Sequence, residues 1–311
     1  IARWIGYGGE KDFHGNVLET VTWAAGLAAH SKNIQVFATV HTAFNHPIVT
    51  AKQLATLDQM SGGRLGLNVV AGWNKPEYDA FGKDLPGDHC DRYAMAQEWF
   101  DYVQKLWNED KPCDWEGTFY QGKGVYSLPH PIQKKMPIIN AAASDEGRNF
   151  AMRNADFLFT PVFDFEQAAE TVKDITARAA SAQRTVDVLT FCTVVCRPTQ
   201  KEADDYLNWY ANENADWEAV DNLMTLQGLH AQSFPPEALS MFRDRFAAGH
   251  GGFPLVGTPD KIADLLEQLS NTGIAGTTLS FVDYAKEFPY FRQEVLPRLE
   301  RKGLRLPKQD S

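Results

Sequence analysis

The sequence predicts an α/β fold, a parallel TIM-type (β/α)8 barrel carrying insertions. Three observations lead there. Short apolar runs at 34–40, 64–70, 137–143, 155–161, 187–195 and 276–282 alternate with stretches of helical periodicity. The connections between them are long enough for crossover helices, which makes the strands parallel and sets the helices outside. With a possible strand tail at 1–5, these runs come to seven, one short of a closed eightfold barrel. The first strand and helix are therefore expected to be missing from the chain shown. The rival, an open doubly wound sheet, calls for a GxGxxG turn after the first strand. Gly6, Gly8 and Gly9 have a different spacing and precede no helix within a turn or two.

Each element has its own local reason. Leu18 to Ala29 places small and apolar residues at helical spacing, and Ile34 to Val40 is an apolar strand. Pro47 opens a helix through Met60, because a first turn has no use for the missing N–H. Arg64 to Val70 is a strand, followed by the aromatic and polar loop Gly72, Trp73, Asn74, Pro76, Glu77 and Tyr78. Asp91 begins a helix with Tyr93, Ala96, Phe100, Val103 and Trp107 on its inner side. Residues 111–131 break the rhythm as a small hairpin with aromatic edges. Pro137 to Ala143 is a strand, and Ser144 with Asp145 caps a helix ending near Asn154. A strand at 155–161, a helix at 165–180, a strand at 186–195 and a helix at 202–221 follow. Residues 223–256 are irregular and too long for a plain connection, so they read as a second insertion. A helix from Pro259, a strand at 276–282 and a helix at 286–302 close the pattern.

The 311 residues suffice for one large domain, taken as 1–311 with insertions at about 111–131 and 223–256. The formal charge of −10 disfavours a nucleic-acid role, which needs a basic footprint. No apolar run reaches membrane-spanning length and no signal peptide opens the chain, so a cytoplasmic protein is expected. Cys90, Cys113, Cys192 and Cys196 form no CxxC pair and read as apolar side chains in a reducing compartment, not metal ligands or a disulfide. Asp88, His89 and Cys90 are too close in sequence to converge on one ion, and His14 beside Asp12 has no spaced partner, so no metal is expected.

In a parallel barrel the chemistry sits at the carboxyl ends of the strands. That rule selects Thr39, His41, Thr42, Asn45 and His46, then Asn68, Trp73 and Glu77, then Asn140 and Ser144, then Thr160, Ser280 and Asp283, with Arg92 and Tyr93 at the start of the helix beyond the Trp73 loop. Asn68 stands out, since an amide among strand aliphatics costs free energy unless something bonds to it. His41 and His46 have a plainer role open to them, satisfying loop backbone. Ser144 can cap a helix and bind an anion with the same exposed donors. No GxSxG, P-loop, HExxH or Cys–His signature is present, which leaves room for a cofactor to carry the hard chemistry.

The stretch from Ile34 to Tyr93, with GLNVVAGWNKPEYDAFG and the later DRY, resembles the bacterial luciferase-like flavin monooxygenases. The likeness extends through WEGTFYQ and PIINAAASDEGRNFAMRNADFLF, and is nearest the family's pyrimidine-ring-opening branch. The resemblance implies an eightfold barrel that takes reduced FMN from a separate NAD(P)H-dependent flavin reductase and reacts it with O2. It implies FMN contacts at Arg3, Trp4, Thr39, Asn68, Glu77, Arg92, Tyr93 and Ser144. Thr39 and Asn68 fall beside the oxygen-reactive edge of the ring, with His41 as a further catalytic candidate. A homodimer or homotetramer acting on a small nitrogen heterocycle is the expectation. Sulfones, sulfonates and chlorinated aromatics are alternative substrates, and a non-oxygenating flavin- or deazaflavin-binding barrel is an alternative class. The VHTAFNHP loop and the 223–256 insertion depart from the relatives' pattern, so they are where substrate choice is expected to lie.

Overall fold

The computed structural model describes residues 6–11, 16–86, 89–142, 144–229 and 236–307. The chain divides into two units, 1–6 with 14–158, and 7–13 with 159–311. The first contains α1 (Thr20–His30), β1 (Val36–His41), α2 (Pro47–Ser61), β2 (Leu65–Val70), α3 (Lys75–Ala80), α4 (His89–Asn108), β3 (Cys113–Glu116), β4 (Gln121–Val125), β5 (Ile138–Ala141), α5 (Asp145–Asn154) and the start of β6 (Phe157–Phe159).

The strands β1, β2 and β5 pair in parallel, with Thr39 opposite Asn68 and Asn68 opposite Ile139. Successive side chains point to opposite faces, so the register separates two sets. Val36, Ala38, Val40, Leu65, Leu67, Val69 and Ile138 are all buried, on the side packed by α1, α2 and α5. Burying each larger aliphatic contributes about 1.5–3 kcal/mol. That preference fixes the strand rotation and puts the half-buried Phe37, Thr39, Asn68 and Ile139 on the other face, together with the buried His41, Gly66 and Val70. Asn68 therefore faces away from the layer formed by Leu65, Leu67 and Val69.

Local caps set the ends of the helices. His46 Nδ1 accepts the Ile48 N–H at the start of α2, with Pro47 in the first turn. Ser144 Oγ accepts the Gly147 N–H at the start of α5. The segment after β2, expected as a loop, contains a short helix: α3 begins at Lys75, and Pro76 suits its first turn. Glu77 thus sits on a helix.

The second unit contains α6 (Phe165–Ser181), β7 (Asp187–Cys196), α7 (Gln200–Asn208), a π turn at Trp209–Glu213, α8 (Trp217–Leu226), α9 (Pro236–Gly249), β8 (Phe253–Gly257), α10 (Pro259–Asn271), β9 (Gly276–Ser280), α11 (Tyr284–Glu294) and α12 (Leu296–Arg301). Residues 189–193 of β7 pair in parallel with β9, and 192–196 pair in parallel with β8. The stretch 223–256 is more regular than its sequence suggests. It holds the end of α8, the helix α9 and most of the parallel strand β8. Gly251 and Gly252 just before that strand, and Pro254 within it, hide it from the apolar pattern. The helix expected at 202–221 breaks where Asn214 N–H reaches back to Trp209 O and Asp216 caps α8. The last helix breaks before Pro297, which supplies no N–H. The strand expected at 155–161 shortens to β6.

Candidate active site

Candidate residues from β1 and β2 meet directly. Asn68 Nδ2 donates to Thr39 Oγ1 at 3.2 Å, while Asn68 Oδ1 is buried with no partner among the described residues. A buried amide oxygen left unbonded costs about 1–3 kcal/mol. That cost falls away once a ligand donates to it.

His41 is two residues past Thr39 on the same face of β1. Its ring stacks on Phe44 at 4.2 Å and meets the Tyr78 ring edge-on at 5.6 Å. Nδ1 accepts the Ala43 N–H at 3.3 Å, leaving Nε2 as the N–H donor of the neutral ring, buried without a partner among the described residues. Burial, helped by the Lys83 cation, pushes the imidazole down to about 4. His41 is therefore neutral at physiological pH, with its Nε2–H available to donate. The aromatic packing depends on Gly72. Its φ is +96°, and a Cβ there would stand 2.2 Å from His41 Nε2 and 2.8 Å from the Tyr78 hydroxyl.

Tyr78 links this cluster to the next. Its hydroxyl donates to Ala71 O at 3.2 Å. Burial raises it to about 12, opposed by Arg92 and reinforced by Glu77. Tyr93 behaves alike: burial raises it to about 12, Arg92 opposes and Glu146 adds. Both phenols stay protonated at neutral pH as donors. Arg92 and Glu77 are themselves buried, and Arg92 Nη1 donates to Pro86 O at 2.6 Å. A Cβ on Gly147 would lie 2.5 Å from the Tyr93 hydroxyl, so that hydroxyl lies against the first turn of α5. Ser144 Oγ is engaged as the cap acceptor and keeps its O–H to donate. The first-turn N–H groups and the helix dipole favour an anion there, although Asp145 and Glu146 in that turn work against one.

The structure thus joins Thr39 with Asn68, and Tyr78 and Arg92 lead from His41 towards Tyr93 and the Ser144 cap. His46 is exposed and serves as a helix cap, the plainer of its two readings. Asn140 Nδ2 donates to Val69 O at 2.8 Å. Asn45 Nδ2 donates to His41 O at 2.8 Å, and the Thr42 N–H donates to Val70 O at 3.0 Å. Trp73 is half-buried. In the second unit, the Thr160 N–H bonds Leu189 O, Ser280 ends β9 and Asp283 caps α11. Arg3 and Trp4, together with Asp12, His14 and Asp88, lie outside the described residues. Gly72 and Tyr78 belong to the aromatic and polar loop that the sequence places after β2, whereas Phe44 is not among the expected site residues. A glycine between an apolar strand and a tryptophan was the available signal for Gly72, whereas nothing local marks Phe44 or Tyr78 as packing on His41. Among the described residues, no three His, Cys, Asp or Glu side chains gather as metal ligands would, and no helix is long and apolar enough to cross a membrane.

Residues 2–276 match the family described as luciferase-like monooxygenase. The chain is 30% identical over 299 residues to the pyrimidine monooxygenase RutA of Acinetobacter baylyi, covering 94% of this chain and 80% of that one. It is 32% identical over 300 residues to the FMNH(2)-dependent dimethylsulfone monooxygenase of Pseudomonas putida, with the same coverage of 94% and 80%. Among solved structures, DmoA from Hyphomicrobium sulfonivorans superposes with a TM-score of 0.82 at 24% identity, covering 95% of this chain and 73% of that one. Such likeness shows the fold, that of the TIM-barrel monooxygenases.

Proposed function

The chain belongs to the luciferase-like monooxygenase family, and from that premise we propose that it is the oxygenating component of a two-component system, using reduced FMN and O2 to oxidise or cleave a small nitrogen-heterocyclic substrate. The observation that carries the cofactor reading is the buried Oδ1 of Asn68, without a partner among the described residues, beside the Thr39 hydroxyl. An adjacent donor and acceptor suit the polar edge of a flat heterocycle. The fit extends to the anionic end of the cofactor, because the capped start of α5 offers N–H groups and the Ser144 hydroxyl.

When bound, reduced FMN would supply the electrons that activate O2. The protein's own part is to bind, orient and keep water out. Asn68 and Thr39 would hold the reactive edge. Ser144 and Tyr93 would hold the phosphate, with buried Arg92 and Glu77 fixing the surrounding charge. Arg3 and Trp4 stay in the proposed contact set on the strength of the resemblance. His41 would offer Nε2–H to the substrate, walled by Phe44 and Tyr78. A separate NAD(P)H-dependent flavin reductase is the partner this chemistry calls for, and a homodimer or homotetramer is the proposed assembly.

The substrate reading leans on the pyrimidine relative. The sulfone relative, at a similar identity, supports a second reading, carbon–sulfur cleavage of a small sulfone. The test is oxygen uptake with enzymatically supplied reduced FMN, 18O2 and either uracil or dimethyl sulfone, with products read by mass spectrometry. Label in a pyrimidine product is expected, and label only in a sulfone product would exchange the two readings. Flavin binding without substrate-dependent incorporation from either substrate would refute this oxygenase reading.

A further inference from the structure

Glu98, midway along α4, belongs to none of the groups assigned above. Its carboxylate accepts the backbone N–H groups of Thr118 at 2.9 Å, Phe119 at 3.0 Å and Tyr120 at 2.8 Å. It also accepts the indole N–H of Trp115 at 3.2 Å. The whole turn between β3 and β4 is therefore gathered onto one side chain. A Cβ on Gly117 would come within 1.9 Å of Glu98 Oε1, so the turn closes on the carboxylate only because that position is glycine. Burial pushes the carboxyl up, and the N–H donors more than reverse it, holding it below the usual carboxylate range.

The anchored turn reaches the candidate site. Tyr120, its last residue, donates its hydroxyl to Thr42 O at 3.1 Å and meets the His46 ring edge-on at 5.7 Å. Trp99, the neighbour of Glu98, donates its indole N–H to Asn45 O at 2.7 Å. The 42–46 loop is thus gripped from α4 twice, directly through Trp99 and indirectly through Glu98, the turn and Tyr120. That loop carries Phe44, which stacks on His41 at 4.2 Å and on Phe81 at 4.4 Å.

We propose that Glu98 is a positioning residue of the active site: by locking the β3–β4 turn it sets Tyr120 as a clamp on the 42–46 loop and so holds His41 and Phe44 in place. Only the consequence for catalysis rests on the oxygenase reading; the clamp stands on its own geometry.

Hydrogen exchange on the full chain tests it with Glu98→Gln, Tyr120→Phe and the double variant. Gln keeps the size but replaces one acceptor oxygen with a donor that faces N–H groups. In Glu98→Gln, protection is expected to fall about tenfold or more at 117–120 and also at 42–46. In Tyr120→Phe it falls at 42–46 alone, and the double variant is no looser at 42–46 than Glu98→Gln. Loosening of 117–120 with 42–46 unchanged in Glu98→Gln would overturn the proposal, leaving Glu98 as a brace for the hairpin only. Should Glu98→Gln fail to fold, Tyr120→Phe decides: unchanged protection at 42–46 refutes the clamp. In oxygenation assays, both variants are expected to raise the substrate KM more than they lower kcat. A wild-type enzyme with no FMNH2-dependent oxygenation would defeat the functional reading, while the exchange data would still judge Glu98.

Discussion

Replacing Gly72 by alanine tests the aromatic wall of the site most directly, because two separable costs meet at that position. The backbone φ is +96°, a conformation an L side chain adopts only under strain, worth about 1–2 kcal/mol. The added methyl would also lie 2.2 Å from His41 Nε2 and 2.8 Å from the Tyr78 hydroxyl. Neither group can swing aside freely. His41 is wedged against Phe44, and Tyr78 is buried and bonded to Ala71 O. Overpacking of this kind costs about 1–3 kcal/mol, so the total loss should be about 2–5 kcal/mol. Gly82→Ala is the control: its φ is +62° with nothing within 4 Å of the added Cβ, so it should lose only the backbone part, about 1–2 kcal/mol. Urea unfolding followed by tryptophan fluorescence measures both, and the difference between the variants isolates the steric cost. Gly72→Ala should also raise the substrate KM by displacing His41. Equal stability losses in the two variants, with KM unchanged, would refute the close packing of His41 and Tyr78 around Gly72.

Asn68→Ala should cost less than about 1 kcal/mol of stability, since it removes one bond to Thr39 together with an amide oxygen that is buried unbonded, yet lower turnover by about tenfold or more; full turnover would remove Asn68 from the reactive edge. Ser144→Ala should lose about 1 kcal/mol through its helix cap and weaken FMN binding several-fold in a fluorescence titration, and unchanged affinity would count against a phosphate contact. His41 predicts a pH dependence of stability. Its folded pKa is pushed down to about 4 from 6.5, so the unfolded chain binds a proton that the folded one refuses. Stability is full above about pH 6.5 and falls as pH drops towards 4, by about 3 kcal/mol in all. Urea midpoints from pH 4 to 7 should show that slope in the wild type, and His41→Gln should flatten it; equal slopes would mean that His41 titrates normally.

Much of this was legible in the sequence because it depends on near neighbours. The alternation of Leu65, Leu67 and Val69 decides which face is buried, and so puts Asn68 on the other. Ser144 followed by Asp145 and Glu146 reads as a helix start, and the structure has Ser144 Oγ capping α5. The strand β8 was lost to two glycines and a proline, and α3 was lost inside a loop already crowded with functional residue types. Glu98 gave no signal, since a glutamate on an amphipathic helix is ordinary and its partners lie 17–22 residues further on.

By itself, then, the sequence determined the parallel α/β alternation and the capped helix ends, set by local periodicity and short motifs, while its resemblance to a known family supplied the family and the pairing of Thr39 and Asn68 as candidates. The tertiary structure alone decided that Asn68 Oδ1 is left unbonded, that His41 is neutral, and that the β3–β4 turn is tied to the 42–46 loop. Each depends on which distant groups surround an atom and how much water they displace, and those are properties of packing that no single stretch of chain contains.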